Sequence, residues 1–238
     1  MQITKVLNEK IRLYVEEALS QNVSLALHPR QSHYIYNVMR LKKHDNIYLF
    51  NGKDGEWLGE VVNISSKSTK IIIKERTKQQ QHEKNLYLYC ALVKSGALSN
   101  IVRQATEMGV TCIQFISTER TVVKNINLSR AKLQAIEAAE QSGRTSIPQI
   151  FLPINFCELS DSQNKNFVLC DETGEGQPPN KVLKGKKNVA IIVGPEGGFS
   201  SCELDSANKF CQKLSLGKRI LRVDTAVVAA LTFTNWYS

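Results

Sequence analysis

The sequence predicts an α/β protein with two domains, and a change of pattern along the chain is the main observation behind this prediction. The first 74 residues contain short alternating strands around one helical segment, which is typical of a small β-barrel. After Asn85, apolar strands alternate with helical patterns, which indicates a mostly parallel sheet with helices on both faces. The predicted boundaries are residues 1–74 for the barrel, 75–85 for a linker and 86–238 for the larger domain.

The predicted barrel strands contain the β-branched and aromatic residues that favour extended structure. They are IRLYV, VSLAL, NIYLF, LGEVVNI and TKIIIK, interrupted by the helical segment RQSHYIYNVMR. The stretch NGKDG, residues 51–55, predicts a glycine-containing hairpin turn after NIYLF. The segment KERTKQQQHEKN that follows is polar and lacks apolar periodicity, so the linker is expected there.

The larger domain is predicted from strands and helices that follow one another in turn. The strands are LYLYCALV, CIQFI, FVLC, VAIIV and KLSLG. Apolar residues at helical spacing predict a helix over ALSNIVRQATEMGV that ends at Gly109, and a second over SRAKLQAIEAAEQSG that ends at Gly143. The mostly apolar stretch DTAVVAALTFTNWYS predicts a last helix over residues 224–237. VAIIV is apolar throughout, which indicates a strand covered on both faces.

The composition indicates a polyanionic partner and a soluble, cytoplasmic protein. The net charge is +9, from 31 basic and 22 acidic residues spread along the chain, and a generic basic surface is the alternative explanation. The N-terminus carries scattered charges, and no apolar run reaches about 18 residues, so neither a signal peptide nor a membrane span is expected. The six cysteines form no C-x-x-C pair, so neither a metal site nor a disulfide framework is expected.

Three predicted strand ends carry unusual residues, and the ligands of parallel sheets bind at the carboxyl ends of the strands. LCDETGEG covers residues 169–176, GPEGG covers 194–198 and LGKRILRVDTA covers 216–226. Ser200 and Glu203 then form an S-x-x-E capping box, which predicts that a helix begins directly after GPEGG. An ordinary tight turn is the alternative explanation for each glycine-rich loop. The three glycines of GPEGG indicate that a ligand approaches the backbone closely.

The residues in these loops favour a cationic ligand over a phosphate. Neither the G-x-x-x-x-G-K-[ST] phosphate loop nor the G-x-G-x-x-G dinucleotide motif is present. Asp171, Glu172 and Glu196 stand inside the loops, and carboxylates in a cleft of low dielectric repel phosphate. They tolerate a cationic ligand that carries adenosine, and S-adenosylmethionine, with its sulfonium charge, is such a ligand.

Five ordered motifs resemble the RsmE family of SPOUT-class methyltransferases, which methylate N3 of uridine in 16S ribosomal RNA of the small subunit. The motifs are K-x6-I-V-R-Q-A-T-E-M-G-V (Lys94–Val110), S-T-E-R-T (117–121), E-A-A-E-Q-S-G-R (137–144), G-P-E-G-G-F (194–199) and L-G-K-R-I-L-R-x-D-T-A (216–226). HYIYNVMR and D-N-I-Y-L-F-N-G resemble the family's PUA-like, RNA-binding barrel. The chain departs from the family at Asp224, where Glu is usual, and at Lys218, where Pro is common.

The resemblance implies a C-terminal domain with a deep trefoil knot, and a homodimer with its active site at the subunit interface. The apolar last helix would suit such an interface, and burial within its own domain is the alternative. The resemblance also implies that S-adenosylmethionine binds in the three loops of the knot region. The cofactor-binding residues implied in this way are Leu169, Asp171, Glu172, Gly194, Pro195, Glu196, Gly197, Gly198, Leu216, Gly217, Ile220, Leu221 and Arg222.

Arg222 and Asp224 are the predicted catalytic residues. Uridine N3 is a poor nucleophile until it loses its proton, so the site needs a group that accepts or disperses that proton. Arg222 would stabilise negative charge on the uracil carbonyl oxygens, and Asp224 would orient Arg222 or act as the base. The alternative for Asp224 is the N-cap of the last helix.

The predicted substrate requires an accessible Watson–Crick edge, so the target uridine must be unpaired or flipped out. The basic residues predicted to neutralise RNA phosphates are Arg40, Lys42, Lys43, Arg120 and Arg144. A helix-terminal or interface salt bridge is the alternative for Arg120 and Arg144. Two other functions stay open from the sequence: a non-catalytic RNA-binding module, and a SPOUT ribose 2′-O-methyltransferase acting on transfer RNA.

Overall fold

The computed structural model describes residues 10–159 and 164–237 of the chain. Residues 1–9 of the predicted barrel, and residues 160–163 and 238 of the predicted larger domain, lie outside the described residues. In the part that is described, no helix combines the length and the apolarity that a membrane crossing requires.

The chain divides into two compact units. The first unit comprises the chain up to His82 together with Glu140–Ser146. The second unit comprises Glu83–Ala139 and the chain from Ile147 onward. A segment from the middle of the sequence therefore belongs to the first unit, which the linear boundaries predicted from the sequence did not anticipate.

The first unit contains a five-stranded sheet. Its strands are β1 (Arg12–Tyr14), β2 (Ser24–Ala26), β3 (Asn46–Phe50), β4 (Glu56–Ile64) and β5 (Thr69–Lys78). They lie in the order β1-β3-β4-β5-β2, with β1 parallel to β3 and the other pairs antiparallel. The predicted helical segment is a short helix, α1 (Pro29–His33), continued by a π-helix over Tyr34–Val38. Apolar side chains of the sheet and of the helical segment form the core of this unit. Among them are Leu13, Leu25, Ile35, Ile47, Leu49, Val61, Ile71 and Ile73.

Strand β5 continues to Lys78 and so occupies part of the segment predicted as a linker. Its last residues, 74–78, are polar and exposed, so this part of the strand lacks the apolar alternation that marks a strand. Thr77 donates a hydrogen bond to the Glu56 carboxylate at 3.0 Å, and Lys78 forms an ion pair with it at 3.3 Å. The Arg76 guanidinium lies over the Trp57 ring, 5.7 Å from its centroid.

A buried ion pair ties together parts of the first unit that are distant in sequence. Arg12 Nε donates to Glu56 Oε2 at 2.7 Å, and both side chains are buried. The same guanidinium donates to the carbonyl oxygens of Glu140 at 3.0 Å and Arg144 at 2.6 Å. Burial alone would raise the pKa of Glu56, but the hydrogen bond and charge of Arg12 hold that pKa below its ordinary value. The ionised pair therefore connects β1, β4 and the segment 140–146.

The second unit contains a six-stranded sheet in which neighbouring strands are parallel. The strands are β6 (Leu86–Ala91), β7 (Cys112–Ser117), β8 (Gln149–Asn155), β9 (Asn166–Asp171), β10 (Val189–Val193) and β11 (Gln212–Ser215). Their order is β11-β9-β10-β6-β7-β8. The helices are α2 (Ser95–Glu107), α3 (Leu128–Ser142), α4 (Pro179–Val182), α5 (Ser201–Ala207) and α6 (Val223–Tyr237), and a 3₁₀ turn covers Phe156–Glu158. The last three residues of α3, 140–142, belong to the first unit. The predicted α/β class with a mostly parallel sheet is confirmed.

Strand β10 is covered on both faces, as its continuous apolar run predicts. Its alternate residues enter two separate hydrophobic clusters. Ile191 belongs to the cluster that contains helices α2 and α6, and Ile192 belongs to the cluster that contains Phe156 and Phe199. A central strand with two buried faces fixes the point from which the GPEGG loop leaves the sheet.

Strand β8 was not predicted from the sequence. It lies at the edge of the sheet, where several of its side chains are exposed, and it contains Pro153. Proline within a strand is confined to edges and bulges, and the register between β7 and β8 shifts near this point. Pro153 interrupts the apolar residues of this segment, and a proline within such a run argues against a strand.

Candidate active site

A cavity of about 520 Å³ lies at the carboxyl ends of β9, β10 and β11 in the second unit. The three loops that follow these strands line it, as the sequence predicts for a parallel sheet. Of the residues predicted to bind the cofactor, all except Leu169 and Gly197 line this cavity. Leu169 is instead buried within β9, and Gly197 faces Arg120.

The first loop, after β9, is held by the carboxylate of Asp171. This side chain accepts hydrogen bonds from Thr173 Oγ1 and from the amide of Gly176, both at 2.8 Å. Asp171 therefore shapes the loop as well as lining the cavity. Glu172 is exposed, and its carboxylate lies directly against the Cα of Gly198 in the second loop.

The second loop, GPEGG, contains three glycines, and the steric reason for the missing side chain differs from one glycine to the next. Gly194 leaves space for the Phe199 ring, since an added Cβ would lie 2.7 Å from that ring. Gly198 has φ +68°, and a Cβ there would overlap the carboxylate of Glu172. Gly197 has no positive φ. Gly198 is therefore the position of this loop that requires glycine for its backbone conformation.

Helix α5 begins directly after this loop, as the capping box predicts. Ser200 Oγ accepts from the amide of Glu203 at 3.4 Å, and Glu203 Oε2 accepts from the amide of Ser200 at 2.8 Å. The second oxygen of Glu203 accepts from the amide of Glu119 at 2.8 Å. Glu203 is only 5% exposed, so one buried carboxylate connects the start of α5 to the turn after β7.

The third loop, after β11, carries the predicted catalytic residues. Arg222 is exposed and lines the cavity, and Asp224 is half-buried in the first turn of α6. Asp224 accepts from the amide of Thr225 at 3.0 Å and from Asn100 Nδ2 at 3.3 Å. Among the ion pairs of the described residues, none joins Arg222 to Asp224.

The alternative of Asp224 as the N-cap of the last helix does not fit the structure. Helix α6 begins at Val223, and the amide of Ala226 donates to the carbonyl oxygen of Arg222 at 2.8 Å. Arg222 is therefore the residue at the cap position, and Asp224 lies inside the first turn. A carboxylate there still interacts favourably with the helix dipole.

The lining of the cavity combines carboxylates and apolar surface with the basic residues Lys218, Arg219 and Arg222 of the third loop. Glu172 and Glu196 are exposed at its wall, and Phe199, Leu216 and Leu221 supply apolar area. Its volume is within the range of about 300–1,000 Å³ that holds small-molecule ligands. Burial, together with the neighbouring Asp171, raises the pKa of Cys170 to about 12, so this thiol stays neutral at the cavity wall. The site can therefore receive a cationic ligand with a flat apolar part.

Several residues of this site were not predicted from the sequence. Cys170, Phe199 and Ala226 line the cavity and lie within the predicted loop motifs, but their apolar side chains indicate core packing and not a ligand contact. Asn100 contacts Asp224 from helix α2, which is distant in sequence. Its place within the motif Lys94–Val110 was the only available signal.

The predicted RNA-binding residues are found in different settings. Arg40, Lys42 and Lys43 are exposed in the first unit, and Arg40 has φ +55°. Arg120 is exposed in the second unit and donates to the carbonyl oxygen of Gly197 at 2.8 Å. Arg144 is 9% exposed and donates to Ser146 Oγ at 3.1 Å. The burial of Arg144 does not suit a phosphate contact, and the hydrogen bond to Ser146 gives this side chain a structural partner.

A second cavity, of about 630 Å³, lies at the opposite end of the same sheet. Residues that precede β6 and β10 line it, together with Gly109, Thr234 and Asn235. Its charged residues include Lys84, Lys186 and Lys187. Burial lowers the pKa of Lys186.

Known proteins with the same two domains define the class of this chain. The family model described as "RNA methyltransferase domain" matches residues 80–235, and the one described as "RNA methyltransferase PUA domain" matches residues 28–74. The fold and the site are thus those of an RNA methyltransferase.

Similar individual proteins narrow the assignment. Ribosomal RNA small subunit methyltransferase E of Rickettsia conorii is 32% identical, covering 92% of this chain and 93% of the relative. The protein of that name from Synechocystis is 31% identical over 94% of this chain and 77% of its own length. The solved structure of that methyltransferase from Neisseria gonorrhoeae, bound to S-adenosyl methionine, has a TM-score of 0.85 and 28% identity, covering 94% of this chain and 95% of that one. The chain belongs to the ribosomal RNA small subunit methyltransferase E family.

Proposed function

We propose that this protein methylates N3 of a uridine in 16S ribosomal RNA and uses S-adenosylmethionine as the methyl donor. The observation that carries the proposal is the cavity at the carboxyl ends of β9, β10 and β11, which brings exposed carboxylates together with Arg222. Asp224 follows two positions after Arg222 and is not among the residues that line the cavity. Membership of the ribosomal RNA small subunit methyltransferase E family supports the substrate class. N3 of uridine, as the methylated atom, is the finer part of the proposal.

The residues that would hold the cofactor are those of the three loops around the cavity. Glu172 and Glu196 suit its positive charge, and Phe199, Leu216 and Leu221 suit the adenine ring. Because Gly198 carries no side chain, the Glu172 carboxylate can lie against the GPEGG loop at the cavity wall. When bound, S-adenosylmethionine supplies a methyl group that is open to attack by a nucleophile.

Arg222 and Asp224 are proposed to prepare the uracil. Loss of the N3 proton places negative charge on the ring and on its two carbonyl oxygens. The exposed guanidinium of Arg222 at the cavity wall stabilises that charge. Asp224 is proposed to accept the N3 proton. Its carboxylate is half-buried and follows Arg222 by two positions in the chain. Asn100, through its hydrogen bond to Asp224, holds that carboxylate in place.

The first unit is proposed to bind the RNA backbone. Arg40, Lys42 and Lys43 are exposed and close in sequence, and among the ion pairs of the described residues none includes them. Ammonium and guanidinium groups without a carboxylate partner are available to phosphates. The match of residues 28–74 to an RNA methyltransferase PUA domain supports this assignment.

The remaining family features complete the proposal. They are the deep trefoil knot of the second unit, the closed barrel of the first unit, a homodimer, and a cytoplasmic site of action on the small ribosomal subunit. Trp236, near the end of α6, is 81% exposed, and a large exposed aromatic side chain is typical of an interface. Sedimentation of the purified protein tests the homodimer, and a monomer at micromolar concentration would contradict it.

Transfer of a labelled methyl group tests the proposed function. The purified protein is incubated with labelled S-adenosylmethionine and with either naked 16S ribosomal RNA or purified small subunits lacking the modification. The RNA is then digested to nucleosides and separated by mass spectrometry. We expect label in N3-methyluridine with at least one of the two substrates. Label in a 2′-O-methylated nucleoside, or no label in either RNA, would overturn the proposal.

A further inference from the structure

The GPEGG loop is held from outside the cavity by two consecutive residues, Glu119 and Arg120. Arg120 Nη1 donates to the carbonyl oxygen of Gly197 at 2.8 Å. The amide of Glu119 donates to Glu203 Oε1 at 2.8 Å, while the other oxygen of Glu203 accepts from the amide of Ser200 at 2.8 Å. The Arg120 bond holds the loop at Gly197. The Glu203 carboxylate links Glu119 to Ser200, two residues after the end of the loop.

The turn that presents these two residues is itself well ordered by hydrogen bonds. The amide of Thr121 donates to the carbonyl oxygen of Thr118 at 3.1 Å, and the amide of Thr118 donates to Thr121 Oγ1 at 3.0 Å. Thr118 is buried at the end of β7. The turn is therefore a fixed support, and Arg120 extends from it toward the loop.

Gly197 lies against the stem of Arg120 as well as against its guanidinium. A Cβ added at Gly197 would lie 3.3 Å from Arg120 Cβ and 3.6 Å from its Cδ. The absence of a side chain at Gly197 thus allows the arginine to pass close to the backbone. This explains why Gly197 does not line the cavity although both of its neighbours, Glu196 and Gly198, do.

We propose that Arg120 is a positioning residue for the cofactor loop, acting through Gly197, while the buried carboxylate of Glu203 links the neighbouring Glu119 to Ser200. Arg120 fixes the carbonyl oxygen of Gly197, and this sets the positions of Glu196 and Gly198 at the cavity wall. The assignment replaces a phosphate contact as the main role of Arg120. It rests on the proposed function, because it takes this cavity as the S-adenosylmethionine site.

Calorimetric titration of S-adenosylmethionine in the absence of RNA separates the two roles. Arg120→Ala should raise the dissociation constant about three- to tenfold, the effect of one lost charge-assisted hydrogen bond in a partly exposed site. Arg120→Lys keeps the charge but not the planar fork, so it should restore cofactor affinity incompletely. Arg130→Ala is the matched control, because Arg130 is an exposed arginine on α3 and should bind the cofactor like the parent.

Kinetics with RNA give the second readout. A positioning role predicts that Arg120→Ala raises KM for S-adenosylmethionine while kcat at saturating cofactor falls less, and that RNA affinity stays within about twofold of the parent. Parental cofactor affinity in Arg120→Ala, together with weakened RNA binding that Arg120→Lys restores, would overturn the proposal in favour of a phosphate contact. If the parent protein itself fails to bind S-adenosylmethionine, the proposed function fails instead.

Discussion

The two ends of the parallel sheet carry cavities of similar size and different charge. At the carboxyl ends of β9, β10 and β11 the cavity measures about 520 Å³, and its three carboxylates, Asp171, Glu172 and Glu196, balance the three basic side chains Lys218, Arg219 and Arg222. At the amino ends of β6 and β10 the cavity measures about 630 Å³ and includes three lysines against one carboxylate, Glu83. The larger cavity is therefore not the one that suits a sulfonium cofactor.

The difference follows from what the loops at each end contain. At the carboxyl end, three loops converge, and two glycines with positive φ line the cavity. Gly198 leaves space for the Glu172 carboxylate, and Gly217 is exposed. At the amino end, Gly109 and Gly185 also have positive φ, but neither loop contains a candidate catalytic pair. Position relative to the strands and the chemistry of the lining identify the active site, whereas volume does not.

The largest expected effect is that of Asp224→Asn on methyl transfer. If Asp224 accepts the N3 proton, the amide cannot replace it, and single-turnover transfer to 16S ribosomal RNA should fall about 100- to 10,000-fold. The free energy of unfolding should fall by less than about 1 kcal/mol, since the side chain only loses its interaction with the helix dipole. Full activity in this variant would remove Asp224 as the base.

Arg222→Ala should lower turnover by about 100- to 1,000-fold, as loss of one donor to a developing negative charge does. RNA affinity and melting temperature should change little, because the guanidinium is exposed in the free protein. Lys187→Ala, at the amino-end cavity, is the control and should turn over like the parent. An equal loss of turnover in Arg222→Ala and Lys187→Ala would contradict a specific role of Arg222 in methyl transfer.

The salt dependence of RNA binding should locate the basic surface that RNA uses. Replacing Arg40 and Lys43 with Ala should lower the log–log slope of affinity against salt by about 1.4, if each contacts one phosphate of a single strand. Cofactor affinity should be unchanged. The matched pair Lys184→Ala with Lys187→Ala removes the same charge near the amino-end cavity and should leave the slope as it is. The reverse outcome would move the RNA footprint to that end of the sheet.

Much of the site could be predicted because its signals are local. The continuous apolar run of β10, the three glycines after it and the Ser200–Glu203 capping box each follow from neighbouring residues, and the structure confirms the strand, the loop and the helix start. The convergence of three loops follows from the general rule for parallel sheets. These features require no knowledge of distant contacts.

The features that were not predicted from the sequence depend on contacts between residues that are far apart in the chain. The sequence does not show whether the side chain of Arg144 is buried or exposed. The fold shows that it is buried, in the same unit as Arg12. The extension of β5 depends on the buried carboxylate of Glu56, which its polar residues contact. The hydrogen bond from Asn100 to Asp224 joins α2 to α6. Pairings of this kind leave no periodicity in the chain.

A matched pair of glycine variants tests whether the cofactor binds at the carboxyl end of the sheet. Gly198 and Gly109 both have positive φ, of +68° and +86°, so alanine strains the backbone similarly at each. A Cβ at Gly198 meets the Glu172 carboxylate at the first cavity, whereas a Cβ at Gly109 meets no atom within 4 Å beside the second. Thermal unfolding first establishes that both variants are folded.

Calorimetric titration with S-adenosylmethionine then decides between the two ends. We expect Gly198→Ala to raise the dissociation constant at least about tenfold, a loss of about 1.4 kcal/mol, because the displaced Glu172 and the shifted loop disturb the cavity wall. Gly109→Ala should bind the cofactor like the parent protein. Parental affinity in Gly198→Ala, combined with a loss in Gly109→Ala, would contradict the assignment of the cofactor to the carboxyl end.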